Sequence, residues 1–146
     1  MGGQRLHASC VAYRGRGVLI TGAAGSGKSA TALQLMALGA VLVADDQVEV
    51  TAHGGTLRAH APDRLRGLIE ARGAGLMQVA CVPEADLLLA VDLDAESEGR
   101  LPHLRQFCIT DVCVPLIAAK NLPNLVSLVM AGLRYGTQPL FLDPDA

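Results

Sequence analysis

The chain has 146 residues, a length that suits one domain, and we expect a single domain over residues 1–146. Its formal net charge of −2 gives no reason to expect nucleic acid or an anionic membrane as a partner. Apolar residues make up 51% of the chain and aromatic residues only 3%, so we expect an aliphatic core and a tendency towards self-association. No apolar run approaches the ~18 residues of a membrane span, and the N-terminus lacks the apolar centre of a signal peptide. The four cysteines show no CxxC spacing, which predicts reduced, mostly buried thiols in a cytoplasmic protein rather than a zinc site.

The first predicted element is a β-hairpin. Two apolar segments flank a short Arg-Gly-Arg run, which is typical of antiparallel strands joined by a tight turn. If the turn has two residues, Tyr13 pairs with Arg16, and the same register sets His7 opposite Gly22. An imidazole would then lie beside the next motif, although a surface histidine at a strand end fits the spacing equally well. The predicted strands are 6–13 and 17–21.

The next motif is a phosphate-binding loop. Residues 22–29 fit G-x-x-x-x-G-K-[ST], with a short apolar strand before them and a predicted helix over 29–38 that ends at Gly39. Glycines let successive backbone N–H groups point at phosphate oxygens, and the helix N-terminus adds its positive end. Lys28 can reach the β- and γ-phosphates, and Ser29 can supply a hydroxyl to Mg²⁺. The predicted nucleotide-binding residues are Gly22, Ala23, Ala24, Gly25, Ser26, Gly27, Lys28 and Ser29.

Three carboxylates are candidates for chemistry at this loop. Asp45 and Asp46 follow a predicted buried strand over 41–44, so they lie at the sheet edge that carries the phosphate loop. One acid at this edge orients Mg²⁺ or its water, and a second can accept a proton from an attacking hydroxyl. A simple turn-forming Asp pair is the alternative. Glu70 lies in a predicted exposed loop over 69–75, which is either a charged connection or a source of a second metal-directed carboxylate.

The remaining segments complete an α/β pattern. The predicted fold is a P-loop nucleotide-binding domain with a central mixed sheet flanked by helices. We further expect a hairpin over 47–58 that turns at residues 53–55, a short helix over 62–69, a strand over 85–91, a mobile polar loop over 94–103, a strand or strand pair over 107–117, a helix over 122–134 and an extended tail over 139–146.

These motifs together resemble one family. The spacings that join His7, the phosphate loop, Asp45-Asp46 and the run Glu70-x-Arg72-Gly73 are similar to those of the catalytic C-terminal domain of HPr kinase/phosphorylase. The resemblance implies a bacterial protein-serine kinase that uses ATP and Mg²⁺ to phosphorylate HPr or an HPr-like phosphocarrier, in the regulation of carbohydrate metabolism through the phosphotransferase system. It also implies reverse phosphorolysis of the phosphoprotein, a homo-oligomer, hexameric in the family, and a form without the N-terminal regulatory domain.

The resemblance assigns roles by position. Asp46 corresponds to the group that takes the serine proton, and Asp45 supports it. Lys28 and His7 correspond to further active-site positions, and Arg100 corresponds to a catalytic arginine in the mobile loop. The metal positions are Ser29 and Glu70.

The chain also departs from the family pattern. Ala8 replaces a glycine, and residues 115–120 read Pro-Leu-Ile-Ala-Ala-Lys where the family usually has Pro-Val-Arg-Pro-Gly-Arg. Ile117 and Lys120 thus replace arginines in a segment that the family ties to phosphorolysis, and lysine makes no bidentate phosphate contacts. The sequence therefore favours the kinase direction. A nucleotide-binding sensor that has lost turnover and a small-molecule kinase remain as alternatives.

Overall fold

A computed structural model describes residues 3–96 and 105–136 of the chain. The strands are β1 (Gly3–Leu6), β2 (Ser9–Tyr13), β3 (Arg16–Thr21), β4 (Val41–Ala44), β5 (Val48–His53), β6 (Thr56–His60), β7 (Leu68–Ala71), β8 (Gly75–Gln78), β9 (Glu84–Glu96), β10 (Arg105–Ile109) and β11 (Val112–Lys120). The helices are α1 (Lys28–Ala37) and α2 (Leu125–Tyr135), and a 3₁₀ turn spans Asp63–Leu65. Neither helix of the described part is long and apolar enough to cross a membrane.

Nine strands form one mixed sheet, which confirms the predicted fold class. The order is β1-β5-β6-β9-β3-β2-β4, and β11 also pairs with β9 and carries β10 on its other side. The long strand β9 is the centre of this sheet, because it runs parallel to β3 and β11 and antiparallel to β6. The strands β7 and β8 form a separate antiparallel pair.

The core lies on both faces of the sheet. In β3, Val18 and Ile20 pack with the helices, whereas Leu19 packs into the cluster on the opposite face. The helical side includes Leu35 of α1 and Leu133 of α2, which are fully buried. No aromatic side chain is buried among the described residues, so the expectation of an aliphatic core is confirmed.

The predicted hairpin has the predicted register but a shorter first strand. Tyr13 pairs with Arg16, and the ladder continues to the pair of Ser9 with Ile20. The prediction of a continuous strand over 6–13 is wrong, because the chain changes partner at His7: β1 pairs with β5, and β2 pairs with β3. His7 therefore lies outside the ladder that would have set it opposite Gly22.

The end of α1 agrees with the expectation for Gly39. This glycine has a φ of 113°, a left-handed conformation that favours glycine. Its N–H donates to the carbonyl of Met36 at 3.0 Å, and the N–H of Ala40 donates to that of Leu35 at 3.1 Å. These two bonds form a Schellman motif, which satisfies carbonyls that the helix end leaves unpaired.

Two predictions between residues 62 and 75 are wrong. The predicted helix over 62–69 is only the 3₁₀ turn, and the predicted loop over 69–75 is largely the hairpin of β7 and β8. Ile69 and Ala71 are buried while Glu70 between them is exposed, and this period of two requires a strand.

The second half of the chain also differs in its boundaries. The strand predicted over 85–91 extends through Glu96, so Asp94 belongs to β9 rather than to a loop. The predicted start of the last helix at residue 122 is too early, since Asn121 and Asn124 have left-handed φ values of 65° and 61°. The rest of the predicted mobile loop, with Arg100, and the predicted tail lie outside the described residues.

The prediction that every cysteine is reduced is wrong. Cys108 and Cys113 form a disulfide, because they lie directly opposite each other in the pairing of β10 with β11, with Cα atoms 4.1 Å apart. Cys10 and Cys81 are free thiols. Cys10 is fully buried, and this burial raises the pKa of its thiol well above the ordinary value.

Candidate active site

A cavity of about 370 Å³ opens where the phosphate loop, the end of β4 and the hairpin of β7 and β8 meet. It brings together most of the residues that the sequence predicts for the site, but Gly22, Ala23 and Ser26 of the loop do not line it. Arg100 is the predicted site residue that lies outside the described residues. The lining residues are His7, Ala24, Gly25, Gly27, Lys28, Ser29, Ala30, Asp45, Asp46, Glu70 and Arg72.

The phosphate loop is held in shape by its own lysine. The ammonium of Lys28 donates to the carbonyls of Gly22 and Ala23 at 3.0 and 2.9 Å, and only 7% of the residue is exposed. Gly25 and Gly27 have φ values of 81° and 100°, and no atom lies within 4 Å of a Cβ built on either residue. The loop therefore needs glycine at these two positions for its backbone conformation rather than for lack of space.

Asp94, which was not a predicted site residue, contacts this loop. Oδ2 of Asp94 accepts the N–H of Ala23 at 2.5 Å, and the N–H of Asp94 donates to Oδ1 of Asp92 at 2.9 Å. A usable signal was present, because acids follow the apolar run of β9 as Asp45 follows that of β4. Since β9 is parallel to β3, their carboxyl ends meet at the same edge of the sheet.

Asp45 is buried and its oxygens are saturated with hydrogen bonds. Only 3% of the residue is exposed. Oδ1 accepts the hydroxyls of Ser9 at 2.6 Å and Ser29 at 2.8 Å, and Oδ2 accepts Ser29 at 2.9 Å and the N–H of Glu70 at 3.0 Å. The donors come from β2, α1 and β7, so Asp45 joins three elements at the floor of the site. Ser9 was not predicted, and a lone serine in an apolar strand gives little sign of this role.

Asp46 has a contrasting environment. Its side chain is 61% exposed, and Nε2 of His7 lies 3.2 Å from its Oδ1. A hydrogen bond of 2.7 Å from the N–H of Gln47 to the carbonyl of Asp45 closes a tight turn around Asp46, whose φ is 67°. The backbone strain at this position is of the kind that clusters at functional sites. The two adjacent acids thus differ, since one is fixed in the interior and the other faces the cavity beside an imidazole.

The hairpin of β7 and β8 supplies one carboxylate and one guanidinium group to the cavity. Glu70 lies in the middle of β7, and its side chain reaches the cavity while its N–H supports Asp45. Arg72 follows β7 directly and adds a positive charge to the lining. Arg72 belongs to the predicted Glu-x-Arg-Gly motif but was not a predicted site residue.

The donor set fits a nucleotide with Mg²⁺. Ser29 gives its proton to Asp45, so its lone pairs remain for a hard cation, and Glu70 and Asp46 add carboxylate oxygens to the same cavity. Among the described residues, no three His, Cys, Asp or Glu side chains cluster closely enough to hold a metal on their own. This agrees with Mg²⁺ binding in general, which uses one or two carboxylates together with the phosphates of the substrate.

The altered segment 115–120 lies apart from this cavity. It belongs to β11, and Ile117 is 2% exposed and packs in the core with α2. Lys120 is exposed, and its Nζ lies 3.5 Å from Oε1 of Glu96. Neither residue contributes to the cavity lining.

Known proteins share sequence and fold with this chain. The family model described as "HPr Serine kinase C-terminal domain" matches residues 2–83. The HPr kinase/phosphorylase of Clostridium tetani is 42% identical over 152 aligned residues, which cover 90% of this chain and 48% of that protein. The one from Caldicellulosiruptor bescii is 36% identical over 134 residues, which cover 86% and 42%. The chain thus spans about half the length of the curated relatives it matches.

A solved structure shares the fold. The Hpr(Ser) kinase/phosphatase from Coxiella burnetii superimposes with a TM-score of 0.74 at 28% sequence identity, over 90% of this chain and 95% of that one. The family match covers more than half of the chain and includes the phosphate loop, Asp45, Asp46 and Glu70. The chain belongs to the HPr serine kinase C-terminal domain family.

Proposed function

We propose that this chain is an ATP- and Mg²⁺-dependent kinase domain that phosphorylates a serine of HPr or of an HPr-like phosphocarrier, as part of phosphotransferase-system regulation. One observation carries the proposal: Asp46 and His7 form an exposed acid–imidazole pair in the same cavity as the phosphate loop and Lys28. A phosphate loop alone supports nucleotide binding, whereas a free carboxylate facing it supports transfer to a hydroxyl. The acceptor is proposed from the names of the relatives, HPr kinase/phosphorylase and Hpr(Ser) kinase/phosphatase.

The residues of the cavity have separate roles in the proposed reaction. The ammonium of Lys28 and the remaining N–H groups of residues 22–29 bind and orient the triphosphate, since the N–H groups of Ala23 and Ser26 donate to Asp94 and to the carbonyl of Ala23. Asp46 accepts the proton of the serine hydroxyl while the serine oxygen forms its bond to the γ-phosphorus. The bond from that phosphorus to the β-phosphate oxygen breaks at the same time, and ADP leaves. His7 holds the carboxylate of Asp46 in place at 3.2 Å.

Ser29 and Glu70 would hold Mg²⁺, with Asp45 keeping Ser29 in position through two hydrogen bonds. When bound, Mg²⁺ neutralises charge on the phosphates. Arg100 is proposed to add positive charge during transfer, and Arg72 in the cavity lining is a second source of it.

We further propose that residues 1–146 form one domain in a cytoplasmic homo-oligomer, hexameric as the family resemblance implies. Transfer onto serine is proposed as the main direction, with weak phosphorolysis because of Ile117 and Lys120. Phosphate added to phospho-HPr should therefore release little pyrophosphate. Robust release would show that the two altered positions do not limit the reverse reaction.

The decisive experiment follows γ-labelled ATP onto HPr in the presence of Mg²⁺. We expect Asp46→Asn to lower the initial rate by about 100-fold to 10,000-fold, because it removes the proton acceptor without changing the size of the side chain. Asp63→Asn is the matched control, since Asp63 is 98% exposed and is not among the residues that line the cavity. Asp63→Asn should leave the rate unchanged.

Three outcomes separate the alternatives. Label that survives Asp46→Asn would refute the role of Asp46 as base. Nucleotide binding without label on any phosphocarrier would refute the kinase proposal and favour a sensor. Label that appears on a small metabolite instead would favour the small-molecule kinase.

A further inference from the structure

Ser9 is a buried hydroxyl that the proposed chemistry does not use directly. It is the first residue of β2, has no exposed surface and does not line the cavity. A hydroxyl among apolar neighbours costs free energy unless it makes a hydrogen bond. Its Oγ donates to Oδ1 of Asp45 at 2.6 Å, across 36 positions of the sequence.

A β-bulge brings these two residues together. The pairing of β2 with β4 shifts by one residue between Cys10 and Val11. Bulges of this kind redirect side chains and are common beside active sites. Here the shift advances the end of β4 by one residue relative to β2, so that Asp45 comes level with Ser9.

The hydrogen bonds of Asp45 indicate what Ser9 does. Ser9 holds Oδ1, and the N–H of Glu70 holds Oδ2, so the carboxylate is fixed from both ends. Between them, the hydroxyl of Ser29 is shared by both oxygens at 2.8 and 2.9 Å. Because the Ser29 hydroxyl donates its proton to Asp45, its oxygen lone pairs point away from Asp45 and can bind a cation. Without Ser9, Oδ1 keeps only the shared hydroxyl of Ser29, so the orientation of the carboxylate towards Ser29 is less firmly fixed.

We propose that Ser9 is a positioning residue for the divalent cation, because it holds Asp45 in the orientation that commits the proton of Ser29 and leaves the lone pairs of Ser29 for the metal. The proposal rests on the proposed function, since the cation binds together with the nucleotide phosphates. Ser9 acts only through Asp45, its one side-chain hydrogen-bond partner among the described residues. Its loss should therefore weaken the contribution of Mg²⁺ to nucleotide affinity and leave the direct binding of the phosphates by the loop unchanged.

The test measures binding rather than turnover. A non-hydrolysable ATP analogue is titrated calorimetrically into the protein with Mg²⁺ and with EDTA, for the unmodified chain and for Ser9→Ala. We expect Ser9→Ala to lower the Mg²⁺-dependent affinity by about tenfold, the lower end of the range for residues that orient metal ligands. Affinity for the metal-free analogue should change less than about twofold on the same reasoning.

Two further variants separate positioning from general destabilisation. Cys10→Ala is the matched control, because Cys10 is also fully buried in β2 but its sulfur has only a weak contact with the carbonyl of Val11. It should not change the Mg²⁺ dependence. Ser9→Cys keeps the shape and a weak donor, so it should give an intermediate loss, and it provides the measurement if Ser9→Ala does not fold.

The outcomes are distinguishable. An equal loss of affinity with and without Mg²⁺, or no loss in a folded Ser9→Ala variant, would overturn the role of Ser9 while leaving the proposed function intact. Failure of the unmodified chain to bind the analogue at all would refute both proposals.

Discussion

Gly22 and Gly25 offer a matched test of how tightly the phosphate loop is built. Both lie in the loop with positive φ values, 154° for Gly22 and 81° for Gly25. A Cβ on Gly22 would lie 2.5 Å from Oγ of Ser26, 3.1 Å from its Cβ and 3.3 Å from Cβ of Leu93. A Cβ on Gly25 would meet no atom within 4 Å. The two alanine substitutions therefore share a backbone cost, and only Gly22→Ala adds a steric one.

The difference can be sized from these contacts. A non-glycine residue with positive φ costs roughly 1–3 kcal/mol, and this cost should be at least as large at Gly22, whose φ of 154° lies further from the left-handed helical region than the 81° of Gly25. The Ser26 hydroxyl can rotate away, but the contacts to the two Cβ atoms remain and require the loop to move away from β9. Overpacking of this kind adds about 1–3 kcal/mol for Gly22→Ala alone. With a urea dependence of about 2 kcal/mol per molar, the two unfolding midpoints should differ by about 1 M.

The assay is equilibrium urea unfolding, followed by circular dichroism because the chain contains no Trp. Calorimetric titration with the ATP analogue provides the second measurement, and Gly22→Ala should bind more weakly than the unmodified chain because it displaces Ser26 and the adjacent N–H groups. Equal midpoints for the two variants would refute the inference that β9 packs closely beneath the first turn of the loop.

Three further predictions follow from other contacts. Asp94→Asn keeps an acceptor for the N–H of Ala23 but removes a negative charge beside the phosphate loop. Affinity for the ATP analogue should therefore rise about fivefold at low salt and less at high salt, and an unchanged or weaker affinity would contradict this. Hydrogen bonds from Arg5 and His60 lower the pKa of Glu49. The stability that Glu49 adds over Glu49→Gln should therefore be complete above about pH 5 and disappear as the pH falls through the lowered pKa of the folded state. Urea unfolding midpoints of the two proteins that differ equally at low and neutral pH would exclude this contribution. Denatured, unreduced protein should expose two titratable thiols, those of Cys10 and Cys81, whereas four thiols before reduction would show that the disulfide is absent. Replacing Cys108 and Cys113 by alanine should lower the free energy of unfolding by about 2 kcal/mol.

Local features of the fold were predictable from the sequence. The turn at Arg14 and Gly15 sets the register of the β2–β3 hairpin, and Gly39 ends α1, because both depend on residues a few positions apart. The phosphate loop is predictable for the same reason, since its shape depends on its own glycines and on Lys28. The roles assigned to His7, Asp46 and Arg100 in transfer remain predictions.

Features that depend on distant partners were not predictable. The break at His7 arises because β1 finds β5, and the hairpin of β7 and β8 replaces an expected loop because Ile69 is buried in the helical-side core. The disulfide depends on a register that places Cys108 opposite Cys113. In each case the local pattern allowed more than one structure, and packing against a remote element selected one.

The sequence by itself determined that the chain carries a phosphate-loop motif and an adjacent acidic pair, because each pattern is defined by residues a few positions apart. The tertiary structure decided the different environments of the two side chains. Asp45 is buried because Ser9, 36 residues away, and Ser29 and Glu70 donate to it, whereas Asp46 is turned outwards towards His7. The contact of Asp94 with the loop, across 71 residues, has the same origin. Hydrogen bonds between strands that the sheet brings together are set by register and bulges, and these emerge only when the whole sheet is assembled.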